Sequence, residues 1–403
     1  MYRHPPARRG RVRAPLLVVL ALFVVVPVVL AVSSKHRKER SPDPVRPATA
    51  VGDSTCLSCH RDKASFEGTA HRLTMQHPSR ATIAGSFAPG QNVLRTPNPD
   101  LYFHMNADSA RFTQTGVLRH GRDSTTRTER IALVSGIRKG QSYLYWAGNR
   151  LYQLPVSYWA SLGKWINSPG YVDGGMNFER TVSPRCFECH STWIQSVMDP
   201  GASNRYDSTG AIIGITCERC HGAGREHVTR ERSMLRAMNG PAIVNPARLS
   251  RQRQMDACAQ CHGGLGQPIA PLFTYVAGQP LERYLSLPPV PANAILDVHG
   301  NQVSALMRSR CYQASQMTCI TCHDVHQTQR DPKDLSGRCL TCHQEQSCKL
   351  FPKEGHALKG RCVDCHMPLQ ESNLIDMGLE GKEKRELVRT HWIKVWPDSA
   401  IEH

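Results

Sequence analysis

Fourteen of the sixteen cysteines fall in seven copies of one frame, in which two cysteines are separated by two residues and followed directly by histidine. The seven copies are Cys56, Cys59 and His60; Cys186, Cys189 and His190; Cys217, Cys220 and His221; Cys258, Cys261 and His262; Cys319, Cys322 and His323; Cys339, Cys342 and His343; and Cys362, Cys365 and His366. This spacing suits one chemistry above others. Two thiols one helical turn apart reach the two vinyl groups of a porphyrin, and the adjacent histidine swings under the ring to ligate its iron. The competing chemistries do not require this frame. Zinc ribbons pair C-x-x-C units without a histidine after each. A thioredoxin-like redox pair occurs once, beside a strand-helix unit. A disulfide framework does not repeat one spacing seven times. The expected cofactor is therefore heme c, seven copies, covalently attached. Cys311 and Cys348 are left over, either as a disulfide or as two free thiols.

Each motif histidine fills one axial position, so the other face decides between electron transfer and catalysis. Outside the motifs and the N-terminal tail, ten histidines remain. His326 lies three residues past His323, too close to cross to the far face of its own heme, but able to reach a neighbour. His227 follows His221 in a Gly-rich turn (HGAGREHV). His71 follows the first motif (GTAHRLTMQH), with Met75 and His77 as rivals. His299, His356 and His391 complete the favoured distal set. His104 and His120 fall on expected strands, and His403 is terminal. Six favoured ligands for seven sites leave room for one open iron. No catalytic residue is assigned.

Those sites need an exported chain, because heme is joined to apocytochromes outside the cytoplasm. Arg3, Arg8, Arg9, Arg11 and Arg13 precede an uncharged apolar run over 15–32. The basic flank stays in the cytoplasm, which exports the bulk of the chain. An uncleaved anchor is favoured over a cleaved signal, with residues 1–34 as this segment. Residues 35–50 read as a linker ending in a Pro-rich tether, SPDPVRPATA. The expected location is the periplasmic side of the inner membrane. The net charge of +17 invites a nucleic-acid reading. However, residues 1–50 hold ten Lys/Arg and two Asp/Glu, so +8 of it belongs to the tail. Heme propionates would absorb much of the rest, and no basic stripe with interleaved aromatics occurs. Nucleic acid is excluded as a partner.

Residues 51–375 form the expected cytochrome domain. A long stretch separates the first motif from the second, and the last three motifs are closely threaded. No fixed period exists, which rules out a solenoid. The stretch at about 95–180 reads as a β-rich insertion. Residues 101–105, 111–118 and 128–134 partly alternate or carry β-branched and aromatic side chains. YLYW (143–146) and LYQL (151–154) read as a hairpin turning at Gly148-Asn149. Helices are expected at 233–238 and 382–395. Residues 376–403 form an expected helical tail supplying a candidate distal ligand. The expected class is mainly α with much irregular structure, packed around seven hemes, with a small antiparallel β insertion between the first two.

The motifs and their surroundings resemble the periplasmic multiheme cytochromes of the cytochrome c554 type, including cytochrome domains fused to tetratricopeptide repeats. The resemblance spans roughly 52–395. It is carried by CLSCH (56–60) with SFEGTAHRLTM (65–75), by CFECHSTW (186–193) and by ITCERCHGAGREHV (215–228). SRCYQASQMTCITCHDVH (309–326), CVDCHMP (362–368) and the run YLYWAGNRLYQLPVSYW (143–159) also match. It implies a heme-packed, mostly helical fold and distal roles for His71, His227 and His326. It implies electron carriers, some with a five-coordinate heme, akin to multiheme nitrite reductases and hydroxylamine oxidoreductases. Two departures stand out: there is no C-x-x-C-K frame and no tetratricopeptide segment. The expected function is transfer of electrons from a membrane-associated donor to a periplasmic acceptor, with redox proteins as partners. The alternative is an oxidoreductase acting on a small nitrogen or sulfur compound at one five-coordinate heme.

Overall fold

Buried and open side chains alternate over residues 101–106 and 112–117, and the stretch from residue 93 to residue 130 folds into strands. In the computed structural model, which describes residues 43–109, 111–137, 139–197, 204–233, 242–287, 289–290, 296–329, 331–376 and 385–397, they are β2 (Val93–Arg95), β3 (Leu101–Ala107), β4 (Phe112–His120) and β5 (Asp123–Arg130), following β1 (Met75–Gln76). The period of two puts Leu101, Phe103 and Met105 on the inner face of β3, all nearly water-free. β2 to β5 form one antiparallel sheet in chain order.

A second antiparallel sheet contains β1, β6 (Leu133–Ser135), β7 (Gly140–Ala147), β8 (Arg150–Gln153), β9 (Val156–Trp159), β10 (Lys164–Asn167) and β11 (Arg180–Thr181). The hairpin of β7 and β8 pairs Ala147 with Arg150, so the turn falls on Gly148 and Asn149. Gly148 has φ 60°, a conformation glycine reaches without a Cβ penalty. The two sheets share a core that includes Phe103, Ile131, Tyr143, Leu154 and Trp165.

The remaining strands come in pairs: β12 (Ser191–Ser196) with β13 (Tyr206–Ile213), β14 (Gln267–Pro268) with β15 (Leu285–Ser286), and β16 (Leu369–Asp376) with β17 (Arg385–Arg389). The mainly α expectation is therefore overturned: the chain is 28% helical and 27% strand, in several antiparallel sheets. The physical reason is local. Each C-x-x-C-H frame needs only one helical turn, so the attachment helices stay short, and Val-, Ile-, Thr- and aromatic-rich connections pair as strands instead. The tail is corrected too. Where a helix was expected over 382–395, the described part holds β17, whose Leu387 and Val388 pair with Glu371 and Gln370. Glu386 on β17 accepts from Trp159 Nε1 at 3.0 Å and from Lys139 Nζ at 2.7 Å, which docks this hairpin on the second sheet.

The apolar run at 15–32 lies outside the described residues, as do His403 and all of the helix expected at 233–238 except Ser233. Among the described residues no helix is long and apolar enough to cross a membrane.

Candidate heme-attachment sites

In each motif the chain makes one helical turn between the first cysteine and the histidine. The backbone N–H of His60 donates to Cys56 O at 2.9 Å, His323 to Cys319 at 3.0 Å, and His343 to Cys339 at 2.9 Å. The helices Asp53–Cys59, Pro184–His190, Cys217–His221, Arg251–His262, Cys319–Cys322, Pro332–Cys339 and Cys362–His366 carry or lead into the seven motifs. All sixteen cysteines are free thiols, Cys311 and Cys348 included.

The motif helices are tied to one another by their own charged and polar residues. Motif 1 and motif 3 cap each other. Glu218, 1% exposed, accepts from the N–H groups of Val51, Gly52 and Gly224 at 2.7–3.2 Å. Asp53, at the start of the motif 1 helix, accepts from Cys217 N at 2.9 Å and pairs with Arg72 at 2.7 Å. Each carboxylate thus satisfies orphan donors at the other helix's N-terminus. The next residue of motif 3, Arg219, turns the other way and donates to Glu188 O of motif 2 at 3.0 Å. Arg185, one residue before motif 2, donates to Gln260 O of motif 4 at 2.6 Å. Motif 4 meets motif 5 through Thr318 Oγ1 on Gln254 Oε1 at 2.9 Å. The helix leading into motif 6 packs against the motif 5 helix, and its Ser336 accepts from Val363 N of motif 7 at 3.3 Å. The spatial order is 1, 3, 2, 4, 5, 6, 7.

The same packing brings thiols of different motifs within hydrogen-bonding reach: Cys56 and Cys217, Cys189 and Cys261, Cys258 and Cys319, and Cys339 and Cys362. The shared hydrogen bond and then burial push the thiols of Cys189, Cys217 and Cys258 up, so they stay protonated. Cys311 lies beside the thiols of motifs 5 and 6, and Cys348 beside those of motif 7.

The motif histidines are held with one ring nitrogen spoken for. His221 Nδ1 donates to Val244 O at 2.8 Å and His366 Nδ1 to Lys394 O at 2.9 Å. A carbonyl can only accept, so in both rings Nδ1 carries the proton and Nε2 keeps its lone pair. His262 Nδ1 faces Gln302 Oε1 at 3.3 Å, and His190 Nδ1 faces Thr74 Oγ1 at 2.9 Å and Ser135 Oγ at 3.3 Å. Burial holds His190, His221, His227, His262 and His299 below the usual imidazole range, and pushes His391 down to about 4. Neutral imidazole is the form that binds a metal.

Four histidines outside the motifs stand opposite motif histidines. Ring centroids are 6.4 Å apart for His60 and His227, 6.1 Å for His221 and His326, 6.3 Å for His323 and His391, and 6.1 Å for His262 and His71. An imidazole nitrogen bonds a transition metal at about 2 Å and lies about 1 Å from its ring centroid, so two rings across one iron have centroids about 6 Å apart. Three pairs are within 28° of parallel, and His71 and His262 are near perpendicular at 83°. A one-turn thiol pair, a lone-pair nitrogen and a facing second ring form a donor set that fits heme c.

Other candidates lie elsewhere. His299 is close enough to His190 and His262 for their charges to interact. His356 is 77% exposed and bound to Glu345 Oε1 at 2.7 Å. His343 and His366, like His190, have no histidine at the ligand-pair separation among the described residues. His104 is engaged by Asn92 at 2.7 Å. His77 and His120 are exposed, and Met75 is buried in the core beside motif 2. The supports at Asp53, Glu218, Thr74, Ser135 and Val244 were not anticipated. Of these only Glu218 carried a signal, as one of four charged residues inside the C-x-x-C frames, with Glu188, Arg219 and Asp364.

Comparison with known proteins adds one match. A family model described as cytochrome c554 and c-prime matches residues 169–222, the stretch holding motifs 2 and 3. No curated protein and no solved structure matches the chain. The family match supports a c-type cytochrome, with iron and covalently bound heme c, and with electron transfer as its class of function.

Proposed function

We propose that this c-type cytochrome binds seven hemes and passes electrons along them from a membrane-associated donor to a periplasmic acceptor. The observation that carries the reading is the set of four histidine pairs at 6.1–6.4 Å, each with one motif histidine. Heme bound at the motifs would supply reversible one-electron chemistry at iron. The chain's residues do the rest. The fourteen motif cysteines hold the groups covalently. His60, His190, His221, His262, His323, His343 and His366 supply one axial face. His227, His326, His71 and His391 supply the second face at motifs 1, 3, 4 and 5, with His299 and His356 as the candidates left for the others. The caps and ion pairs between motif helices fix the spacing from site to site. Residues 43–50 run directly into the motif 1 helix and are held by the segment after motif 3, through Arg225 Nε on Ala48 O at 2.7 Å, which supports a membrane-side donor at the end formed by motifs 1 and 3. The N-terminal segment anchors the protein at the inner membrane, facing the periplasm.

The second reading is an oxidoreductase acting on a small nitrogen or sulfur compound at one five-coordinate heme. It is favoured by His190, which is deeply buried and has no ring partner at ligand distance among the described residues. It lacks a gathered acid or base in the insertion: His104 is tied to Asn92, and Tyr143 and Tyr145 lie in the sheet core.

The test is made on the full chain matured with heme. Intact mass after denaturation counts covalent hemes, and EPR of the oxidised protein counts low-spin sites. Seven hemes, mostly low-spin and unmoved by nitrite, hydroxylamine or carbon monoxide, are expected. Absence of covalent heme overturns the proposal. A high-spin site displaced by one of these ligands selects the second reading.

A further inference from the structure

Where motifs 2, 3 and 4 meet, two guanidinium groups share one carboxylate out of contact with water. Arg219 is 6% exposed, Arg185 13% and Glu188 8% in their side chains. Arg185 Nη1 lies 2.8 Å from Glu188 Oε2, and Arg219 Nη2 lies 3.9 Å from Oε1. Phe273 N also donates to Oε1 at 3.0 Å. Nearby Arg253 pairs with Asp256 and lies 3.5 Å from Glu282, whose side chain is solvent-exposed. Within the buried junction, two guanidinium groups meet one carboxylate, which leaves one positive charge without a buried protein counter-charge.

Two further observations set it apart from an ordinary buried ion pair. Arg185 Nε, Arg219 Nε and Gln260 Nε2 are buried without any hydrogen-bond partner, and so is the hydroxyl of Tyr275. Their polarity is left unquenched in a place where an unpaired donor is costly. Phe273, which supplies the third contact to Glu188 and lies under Arg219 with the guanidinium carbon 5.5 Å from its ring centre, has φ 61°. Left-handed backbone is unfavourable for a Phe, and such strain persists where the surroundings impose it. Stability alone would favour an apolar junction of the same shape.

We infer that Arg219 is a positioning residue of the redox chain, whose unbalanced charge favours an electron on the sites of motifs 2, 3 and 4 over those at either end. The inference rests on the electron-transfer reading above. A positive charge that cannot be screened by water stabilises the reduced state of a neighbouring centre. A unit charge about 12 Å away, at an effective dielectric of about 20, is worth about tenfold in the ratio of reduced to oxidised forms. Arg219 is the choice because Arg185 still pairs with Glu188 in its absence.

The experiment is a spectroscopic redox titration of the full heme-loaded chain, wild type against Arg219→Met, Arg219→Lys and Glu188→Gln. With Arg219→Met a subset of hemes is expected to shift to lower potential, by about tenfold in reduced-to-oxidised ratio or about 59 mV for one electron. Arg219→Lys should return that subset close to wild type, and Glu188→Gln should move it the opposite way. Titrations of Arg219→Met that overlay wild type overturn the inference. So do shifts of the same sign in Arg219→Met and Glu188→Gln, which mark a packing role. Should Arg219→Met not accumulate, Glu188→Gln still decides by sign: a shift of the subset to higher potential supports the inference, and no shift or a shift to lower potential overturns it. A chain that carries no covalent heme removes the electron-transfer reading and this inference together, and the intact mass tells that case from the others.

Discussion

Glu218→Gln should be the most damaging conservative change in the molecule. The carboxylate accepts from three backbone N–H groups and is closed off from water. The amide keeps one accepting oxygen and turns the other into a donor. If the oxygen stays toward Gly224 and Val51, Gly52 N–H loses its partner and faces an NH2 group. A hydrogen bond to a charged acceptor contributes about 1.5–3 kcal/mol net, and the two remaining bonds, now to a neutral acceptor, each weaken by about 1 kcal/mol. The loss is about 3.5–5 kcal/mol, or about 5–7 °C in melting temperature for a domain of about 325 residues. The effect should also be local. Gly224 starts the helix Arg225–Glu231 that carries His227, and Gly52 starts the helix of motif 1. The ring of His227 should therefore leave its place opposite His60, turning one low-spin heme high-spin. Thermal unfolding and EPR of the full chain read both effects, with Glu218→Asp as the control that keeps the charge. A melting temperature within about 2 °C of wild type, with an unchanged low-spin count, would refute the reciprocal-cap argument.

Other expectations are more compact. His71→Gly should open the far face of motif 4 and convert one heme to high-spin, and added imidazole should restore it; an unchanged EPR spectrum would remove His71 from the ligand set. Gly214→Ala should destabilise by at least about 1–2 kcal/mol in denaturant titration, because φ is +74° and the new Cβ would lie 2.3 Å from Arg72 O, beside His71. Tyr145 and Tyr171 are pushed up to about 12, chiefly by burial. Their folded values exceed the unfolded value near 10, so their contribution is complete below pH 10 and lost as pH rises through 12. The denaturation midpoint should fall over that window, and the double change to Phe should flatten the fall; an equally steep fall would place the alkaline lability elsewhere.

What the sequence made legible follows from the range of the interactions involved. The C-x-x-C-H frames are local, and so is the turn at Gly148-Asn149, where two φ-permissive residues sit between aromatic strands. The β-rich insertion was visible in its alternation, although it extends to two sheets sharing a core. The helical share was overestimated because the segments between attachment motifs read as short helices and irregular chain, whereas several of them pair as antiparallel strands. The charged run after residue 382 reads as helix by composition, yet Leu387 and Val388 find cross-strand partners on β16, and tertiary pairing outweighs a weak propensity. Contacts between motifs were illegible for another reason. Glu218 on Gly52, or Arg219 on Glu188, joins positions whose meeting depends on the whole fold, and nothing in the local pattern says which motif a charged residue faces. Position along the chain singled out six histidines; the structure sets His71, His227, His326 and His391 across from motif histidines and leaves His299 and His356 elsewhere.

The facing rings also bear on how such a chain could be completed. In the proposed ligand scheme none of the four paired sites is finished by its own stretch of sequence. Motif 1 waits for His227, which follows motif 3. Motif 3 waits for His326, which follows motif 5. Motif 5 waits for His391, which follows motif 7. Attachment to the cysteines can proceed as each motif emerges, but closure of the iron runs two motifs behind at motifs 1, 3 and 5, while motif 4 finds His71 already made. The last turn of this sequence is carried by a single short segment, residues 390–396, which presents His391 to His323 and Lys394 O to His366. A chain halted before it would hold its hemes by sulfur while leaving an early and a late site unsettled at once. This segment thus acts as a seal on work done much earlier in synthesis.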